Sequence, residues 1–93
     1  MDQDLDFAQR QLRQYLSTNL KICRGKLGLS QEALALHAGF HRTYVSQIER
    51  QMVNLTLENL AVLAYVLDVP ASVLLAEPSE EAVPLRAGRK RMD

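Results

Sequence analysis

The chain has 93 residues, 47% of them apolar, and its 11 basic residues are balanced by 11 acidic ones. This length indicates one small domain with a modest core, for which oligomerisation is a natural supplement to stability. The balanced charge argues against indiscriminate polyanion binding, the single cysteine excludes an internal disulfide framework, and no apolar run approaches the roughly 20 residues of a membrane span.

The N-terminal stretch "MDQDLDFAQRQLRQ" is acidic and then amphipathic. A secretory signal has a basic start followed by a continuous apolar segment, so this stretch does not resemble one. The expected compartment is therefore the cytoplasm, and no membrane partner is expected.

The first predicted helix covers residues 5–27 and ends at Gly28. Its apolar positions recur at helical spacing, at Leu12, Leu16, Leu20, Cys23 and Leu27. Residues 1–15 form an extension of this helix. The extension has its own apolar side, which consists of Phe7, Ala8, Leu12 and Tyr15. This side either packs on a partner subunit or covers the chain's own core, and the pattern does not separate the two.

Two short helices follow, with only "GFH" between them. Ser30 is a natural N-cap for the second helix, and Glu32 in its first turn is favoured by the helix dipole. Gly39 is expected to end that helix in the left-handed conformation. The third helix runs from about Arg42 to Arg50. Two short helices joined by a tight turn with glycine indicate a helix-turn-helix.

Thr56 is predicted to cap a fourth helix with a buried stripe at Leu57, Leu60, Ala61, Ala64 and Leu67. Pro70 suits the first turn of a short fifth helix over residues 70–76. From Glu77 onward, two prolines and mixed charges without a period predict a flexible tail over residues 77–93. The predicted fold class is all-α, a bundle of about five short helices.

The third helix has two chemically different sides. With about 100° per residue, Ile48 and Met52 fall on the side of Val45. The opposite side is polar and consists of Thr43, Ser46, Gln47 and Arg50, with Arg42 at its flank. Arginine can donate two hydrogen bonds to guanine, glutamine can pair with adenine, and threonine can contact a thymine methyl group. In a helix-turn-helix this side would face the major groove of DNA.

The stretch "LSQEALALHAGFHRTYVSQIERQ", followed by "LTLENLAVLAYVLDV", strongly resembles the Xre/Cro-C1 family of helix-turn-helix repressors over residues 16–76. The matching positions are Leu29, Ser30, Gln31, Ala35, Gly39, Ser46, Ile48, Glu49, Arg50, Leu57 and Leu60. Within that family, "HRTYVSQIER" with "NLTLENL" is most similar to the controller proteins of restriction–modification systems.

The resemblance implies a compact lambda-repressor-like DNA-binding domain over residues 16–76 and roles for individual residues within it. Base edges would be contacted by Arg42, Thr43, Ser46 and Gln47. The DNA backbone would be contacted by Gln31, Tyr44, Arg50 and Asn54. Arg24 and Glu49 would form a structural ion pair between the first and third helices. Val73 and Leu74 would help to build a twofold dimer interface.

Three positions depart from the family pattern. Gln51 stands where the family usually has glycine, so the loop after the third helix is expected to differ, because a left-handed residue other than glycine is costly. Val53 stands where controller proteins often carry arginine, which removes one phosphate contact. His41 replaces the usual serine, threonine or aspartate at the N-cap of the third helix, which predicts a weaker helix start.

The resemblance implies a homodimeric transcription regulator that binds a palindromic operator in double-stranded DNA, with RNA polymerase as a further partner. The alternative is an antitoxin-type protein-neutralising module that also binds DNA, in which residues 77–93, with Val83 and Leu85, would bind a toxin. The basic cluster Arg89–Arg91 is interpreted as a solvated tail. No catalytic constellation, cofactor site or effector domain is evident. His37, His41 and Cys23 are too dispersed for a metal site, because Gly39 interrupts the helix between the histidines.

Overall fold

The structure of the protein is a computed structural model that describes residues 2–79. Five helices follow one another in this range, namely α1 (Asp2–Leu27), α2 (Gln31–Ala38), α3 (Arg42–Glu49), α4 (Leu57–Leu67) and α5 (Ala71–Leu75). Residues 2–79 contain no strand, and the predicted all-α class is confirmed. The part of the tail with Val83, Leu85 and Arg89–Arg91 lies outside the described residues.

Side-chain and backbone caps set the helix boundaries that the sequence predicts. Ser30 Oγ accepts a hydrogen bond of 2.9 Å from the Ala33 amide, and Thr56 Oγ1 accepts one of 3.0 Å from the Asn59 amide. Gly39 adopts the left-handed conformation with φ 77° at the end of α2, a backbone state that glycine reaches without steric cost. Pro70 is a correction, because it is the N-cap residue ahead of α5 and does not lie in its first turn.

The core lies where the five helices converge, and each helix supplies at least one fully buried aliphatic side chain. The largest of these are Leu20, Leu34, Val45, Leu63, Leu67 and Leu74. Burial of such side chains contributes about 1.5–3 kcal/mol each to the free energy of unfolding. Helix α5, although it has only five residues, is therefore an integral part of the core through Leu74.

The apolar stripes predicted for α3 and α4 each include residues that lie at the surface. The buried side of α4 is centred on Leu63 and Leu67, so Leu57 falls beyond its edge and is 80% exposed. Ala61 is exposed for the same reason. Met52 is exposed because α3 ends at Glu49 and the chain then turns, so that helical phase no longer relates Met52 to Val45.

Candidate nucleic-acid interface

The turn between α2 and α3 is held by contacts at both of its ends. The Phe40 amide donates to the Ala35 carbonyl at 2.9 Å, and His41 Nδ1 accepts from the Thr43 amide at 3.1 Å. The ring of Phe40 meets that of Tyr44 edge-on, with centroids 5.1 Å apart. Helix α3 therefore leaves the turn in a defined direction, and its N-cap is an imidazole nitrogen in place of the usual hydroxyl or carboxylate.

The inner side of α3 carries a buried carboxylate. Glu49 is 3% exposed. Its Oε2 accepts from Arg24 Nε at 2.7 Å, and its Oε1 accepts from Arg24 Nη2 at 3.0 Å. Gln31 Nε2 donates to the same Oε1 at 2.9 Å. A buried charge is tolerated only when it is paired and hydrogen-bonded in this way. Glu49 therefore joins α1, α2 and α3 at one point.

The sequence reasoning missed two further buried polar side chains, Ser17 and Asn19. Ser17 Oγ donates to the Glu49 carbonyl at 2.6 Å, which fixes the last turn of α3 on α1. Asn19 Nδ2 donates to the carbonyls of Leu74 and Ala76 at 3.1 and 2.7 Å, which fixes the end of α5. The sequence did hint at these contacts, because Ser17 and Asn19 are small polar residues that lie beside Leu16 and Leu20, two residues of the apolar stripe of α1.

The outer side of α3 is open. Arg42 and Thr43 are exposed, and Ser46 and Gln47, one turn later, are half-buried. Arg42 Nη1 lies 3.5 Å from Glu32 Oε2, in an ion pair whose side chains are both mostly exposed. Such a pair contributes little and is easily exchanged for another partner. The four residues predicted to contact bases thus lie together on one short helix, with Val45 and Ile48 buried behind them.

The four residues predicted to contact the DNA backbone differ from one another in exposure and in hydrogen-bond partners. Arg50 and Asn54 are exposed beyond the end of α3. Asn54 Oδ1 accepts from Arg13 Nη1 at 3.3 Å, a contact that brings a cation of α1 to this loop. Tyr44 packs on Phe40, and its hydroxyl accepts from Asn59 Nδ2 at 3.0 Å. Gln31 is half-buried through its bond to Glu49.

The loop after α3 keeps a left-handed residue although glycine is absent. Gln51 has φ 64°, and the amides of Gln51 and Met52 donate to the carbonyls of Ile48 and Gln47 at 3.0 and 2.9 Å. The hydrogen bonds of the turn hold Gln51 in a conformation that costs a residue with a Cβ atom about 1–2 kcal/mol. Val53 is half-buried against the core, so its side chain packs where an arginine would reach outward.

The two residues predicted for the dimer interface differ in exposure. Val73 is 40% exposed, whereas Leu74 is 0% exposed. The prediction for Leu74 as a surface contact is wrong, because its side chain is enclosed by the chain's own core. Truncation or charge at Leu74 would act on folding before any effect on association.

Cys23 is buried in the core, and no group of three or more potential metal-ligating side chains occurs in residues 2–79. None of the described helices is both long and apolar enough to cross a membrane.

A family model described as a helix-turn-helix matches residues 20–74. Control protein C.SmaI of Serratia marcescens is 38% identical over 72 residues, which cover 77% of this chain and 86% of that protein. The crystal structure of a hypothetical transcription factor from Neisseria is 41% identical, covers 75% of this chain and 79% of that chain, and superposes with a TM-score of 0.73.

A second structure, the restriction–modification controller protein C.AhdI from Aeromonas hydrophila, is 37% identical, covers 67% of this chain and 94% of that chain, and gives a TM-score of 0.64. The chain therefore belongs to the helix-turn-helix family of the Xre type, as the sequence resemblance indicates. It is a DNA-binding regulator, and its similarity to restriction–modification controller proteins is confirmed.

Proposed function

We propose that this protein binds a palindromic operator as a homodimer, represses or activates its own gene from that site, and controls a restriction–modification operon. The observation that carries the proposal is the open outer side of α3, where Arg42, Thr43, Ser46 and Gln47 lie together. A helix that is anchored on its inner side and polar on its outer side can enter a major groove without disturbing the core.

Each of the four outer residues has a distinct chemistry to offer a base edge. Arg42 would donate two hydrogen bonds to O6 and N7 of a guanine, once its weak exposed pair with Glu32 is exchanged for the base. Gln47 would pair with N6 and N7 of an adenine. Thr43 would contact a thymine methyl group, and Ser46 would donate or accept as the neighbouring base requires.

The flanks of the same surface would contact phosphates. Arg50 and Asn54 lie at the exposed end of α3 and would fix the position of the helix along the duplex. Gln31 and Tyr44 would contribute from the turn side, and the bonds to Glu49 and Asn59 would orient their polar groups. In a twofold dimer the two α3 helices would lie about 34 Å apart, one turn of DNA.

The regulatory role is supported by the names of the relatives. C.SmaI is called a control protein and C.AhdI a restriction–modification controller protein. A dimer of this kind would repress by blocking RNA polymerase or activate by contacting it. Regulation would then depend on protein concentration, through dimerisation and operator occupancy, and no small-molecule effector is invoked.

The test is a titration of the purified protein onto DNA from upstream of its own gene, with scrambled DNA of the same length and composition as the control. The titration is carried out at two salt concentrations, because phosphate contacts alone weaken strongly with salt. Tight binding restricted to the natural sequence, with a footprint in dimer-sized steps, is the expected result. Weak binding that is equal on both DNAs would overturn the proposal and favour the antitoxin-type module.

A further inference from the structure

One side of α1 contacts α3 and then continues past it. On this side, Ser17 Oγ bonds to the Glu49 carbonyl, and Arg24 pairs with the Glu49 carboxylate. At about 100° per residue, Arg13 lies within roughly 40° of both Ser17 and Arg24 around the helix. Arg13 is one turn before Ser17 in the chain. It therefore faces the region just beyond the C-terminal end of α3.

The loop after α3 has no charged residue of its own in positions 51–54, where the sequence is Gln-Met-Val-Asn. A depression of about 250 Å³ lies over this loop. Its lining consists of Arg13, Gln51, Met52, Val53 and Asn54. Among these lining residues, only Arg13 carries a charge. Helix α1 therefore supplies a positive charge to a part of the surface that would otherwise be neutral.

The guanidinium of Arg13 has a neutral partner. Its Nη1 donates to Asn54 Oδ1 at 3.3 Å. By contrast, Arg10, Arg24 and Arg42 are each paired with a carboxylate. In the part of the chain that the structure describes, no carboxylate forms an ion pair with Arg13. Its side chain is half-buried, so solvent ions screen this uncompensated charge less than they screen a fully exposed one.

The bond to Arg13 also orients the amide group of Asn54. A guanidinium can only donate hydrogen bonds, so the amide oxygen faces Arg13 and the amide nitrogen points away from it. Asn54 is exposed, and its Nδ2 group can therefore donate to a ligand in solution. The two side chains together present mainly N–H donors and one positive charge. Such a surface suits an anion, and a planar guanidinium matches the oxygen atoms of a phosphate.

We propose that Arg13 contacts a phosphate of the DNA backbone, next to the contacts of Arg50 and Asn54. Asn54 holds the guanidinium at the loop before DNA arrives, which reduces the side-chain entropy lost on binding. This inference rests on the proposed operator binding. It extends the DNA-binding surface to α1, at a position ahead of residues 20–74, which the helix-turn-helix family model matches.

The salt dependence of DNA binding tests the role of this charge. Each phosphate contact steepens the fall of log K with log salt by about 0.9. Arg13→Gln keeps an N–H donor for Asn54 but removes the charge. We expect the slope to become shallower by about 0.9 for each bound subunit, and the affinity to fall about fivefold per subunit at about 0.15 M salt. Arg13→Lys keeps the charge and is expected to keep the slope.

The matched control is Lys26→Gln. Lys26 is also a half-buried cation of α1, but it lies about 140° around the helix from Arg13, beside Cys23 and Val73. We expect this variant to keep the slope of the unaltered protein, and urea unfolding verifies that all three variants fold. If Arg13 only held α1 on the loop, Arg13→Gln would lower the affinity with no change in slope. That result, or an equal loss of slope in Lys26→Gln, would contradict the proposal.

A scan of the DNA backbone locates the contact. Phosphates in the footprint on the natural sequence are replaced one at a time by uncharged methylphosphonates. We expect one phosphate in each half-site whose replacement weakens the unaltered protein about fivefold but has no further effect on Arg13→Gln. Independent sites give additive effects, whereas residues in contact do not. Additive effects of Arg13→Gln with every replacement would therefore show that Arg13 does not contact the backbone.

The same measurements separate failure of this inference from failure of the proposed function, because the salt slope can also be measured on scrambled DNA. A shallower slope for Arg13→Gln on both DNAs, with the preference for the natural sequence retained, supports both proposals. Equal binding of the two DNAs by the unaltered protein, with a shallower slope for Arg13→Gln, would remove operator recognition alone. A retained preference with an unchanged slope for Arg13→Gln would remove the phosphate contact alone.

Discussion

The inner and outer sides of α3 carry polar residues with opposite surroundings. On the inner side, Glu49 is buried and receives hydrogen bonds from Arg24 and Gln31. On the outer side, Arg42 and Thr43 are exposed, and the Arg42 side chain makes a loose hydrogen bond of 3.5 Å to Glu32. Polarity alone therefore does not mark a binding residue on this helix. A polar group that already has its partners positions the helix, and one that lacks strong partners can recognise a ligand.

The inner side of α3 is tested by removing the cation that pairs with Glu49. Arg24→Ala leaves the carboxylate of Glu49 buried without its cation, and we expect the free energy of unfolding to fall by about 3–5 kcal/mol. Urea unfolding followed by circular dichroism measures the change. Arg10→Ala is the matched control, because its pair with Asp6 is exposed and contributes less than about 1 kcal/mol. Equal losses in the two variants would mean that Glu49 does not anchor α3.

The outer side is tested by changes that leave the fold intact. Arg42→Ala and Gln47→Ala are each expected to cost about 1–3 kcal/mol of binding free energy on the natural operator, because each removes one base contact. Binding to scrambled DNA should change much less, and the unfolding curve should stay near that of the unaltered protein.

The control for these two variants lies on a different helix. Tyr65→Ala truncates an exposed side chain of α4 that the proposal does not place on DNA. If Arg42→Ala and Gln47→Ala reduced binding to all sequences equally, α3 would contact only the backbone, and the assignment of base-reading residues would be wrong.

The C-terminal end of α3 connects the two sides, and Gln51 determines how the chain leaves it. Gln51→Gly is expected to raise the free energy of unfolding by about 1 kcal/mol, because glycine adopts φ 64° without the steric cost of a Cβ atom. Thermal unfolding measures this. Gln51→Ala retains the Cβ atom and should not stabilise the protein. A stabilisation shared by both variants would point to the glutamine side chain and not to the backbone.

The caps at Ser30, Thr56 and Gly39 could be predicted because capping is local. Ser30, Thr56 and Gly39 act within a few residues of themselves, so their roles follow from the order of residues along the chain. The bond from Gln31 to Glu49 and that from Arg13 to Asn54 depend on how separate elements approach. Spacing along one helix contains no information about such contacts, which is why they appeared only in the structure.

The predictions for Leu57 and Leu74 were wrong because they also depend on how separate elements approach. Leu57 and Leu74 both continue an apolar pattern, yet one is largely exposed and the other fully buried. Which of them meets the core depends on the rotation of α4 and α5 against α1, and Asn19 helps to set that rotation through its bonds to the end of α5. A stripe therefore predicts that a helix has a buried side, but the centre of that side is fixed by tertiary contacts.

The N-terminal end of α3 is capped by the side chain of His41. His41 Nδ1 accepts a hydrogen bond from the Thr43 amide, so an imidazole performs the capping role that a hydroxyl or carboxylate usually performs. We expect His41→Ala to lower the free energy of unfolding by about 0.5–1 kcal/mol, and His41→Ser to retain the stability of the unaltered protein, because serine can also accept from that turn. Chemical unfolding of the three proteins side by side measures the difference. If His41→Ala were neutral, the imidazole contact would add nothing to helix stability, and α3 would be oriented by Glu49 and its buried apolar side alone.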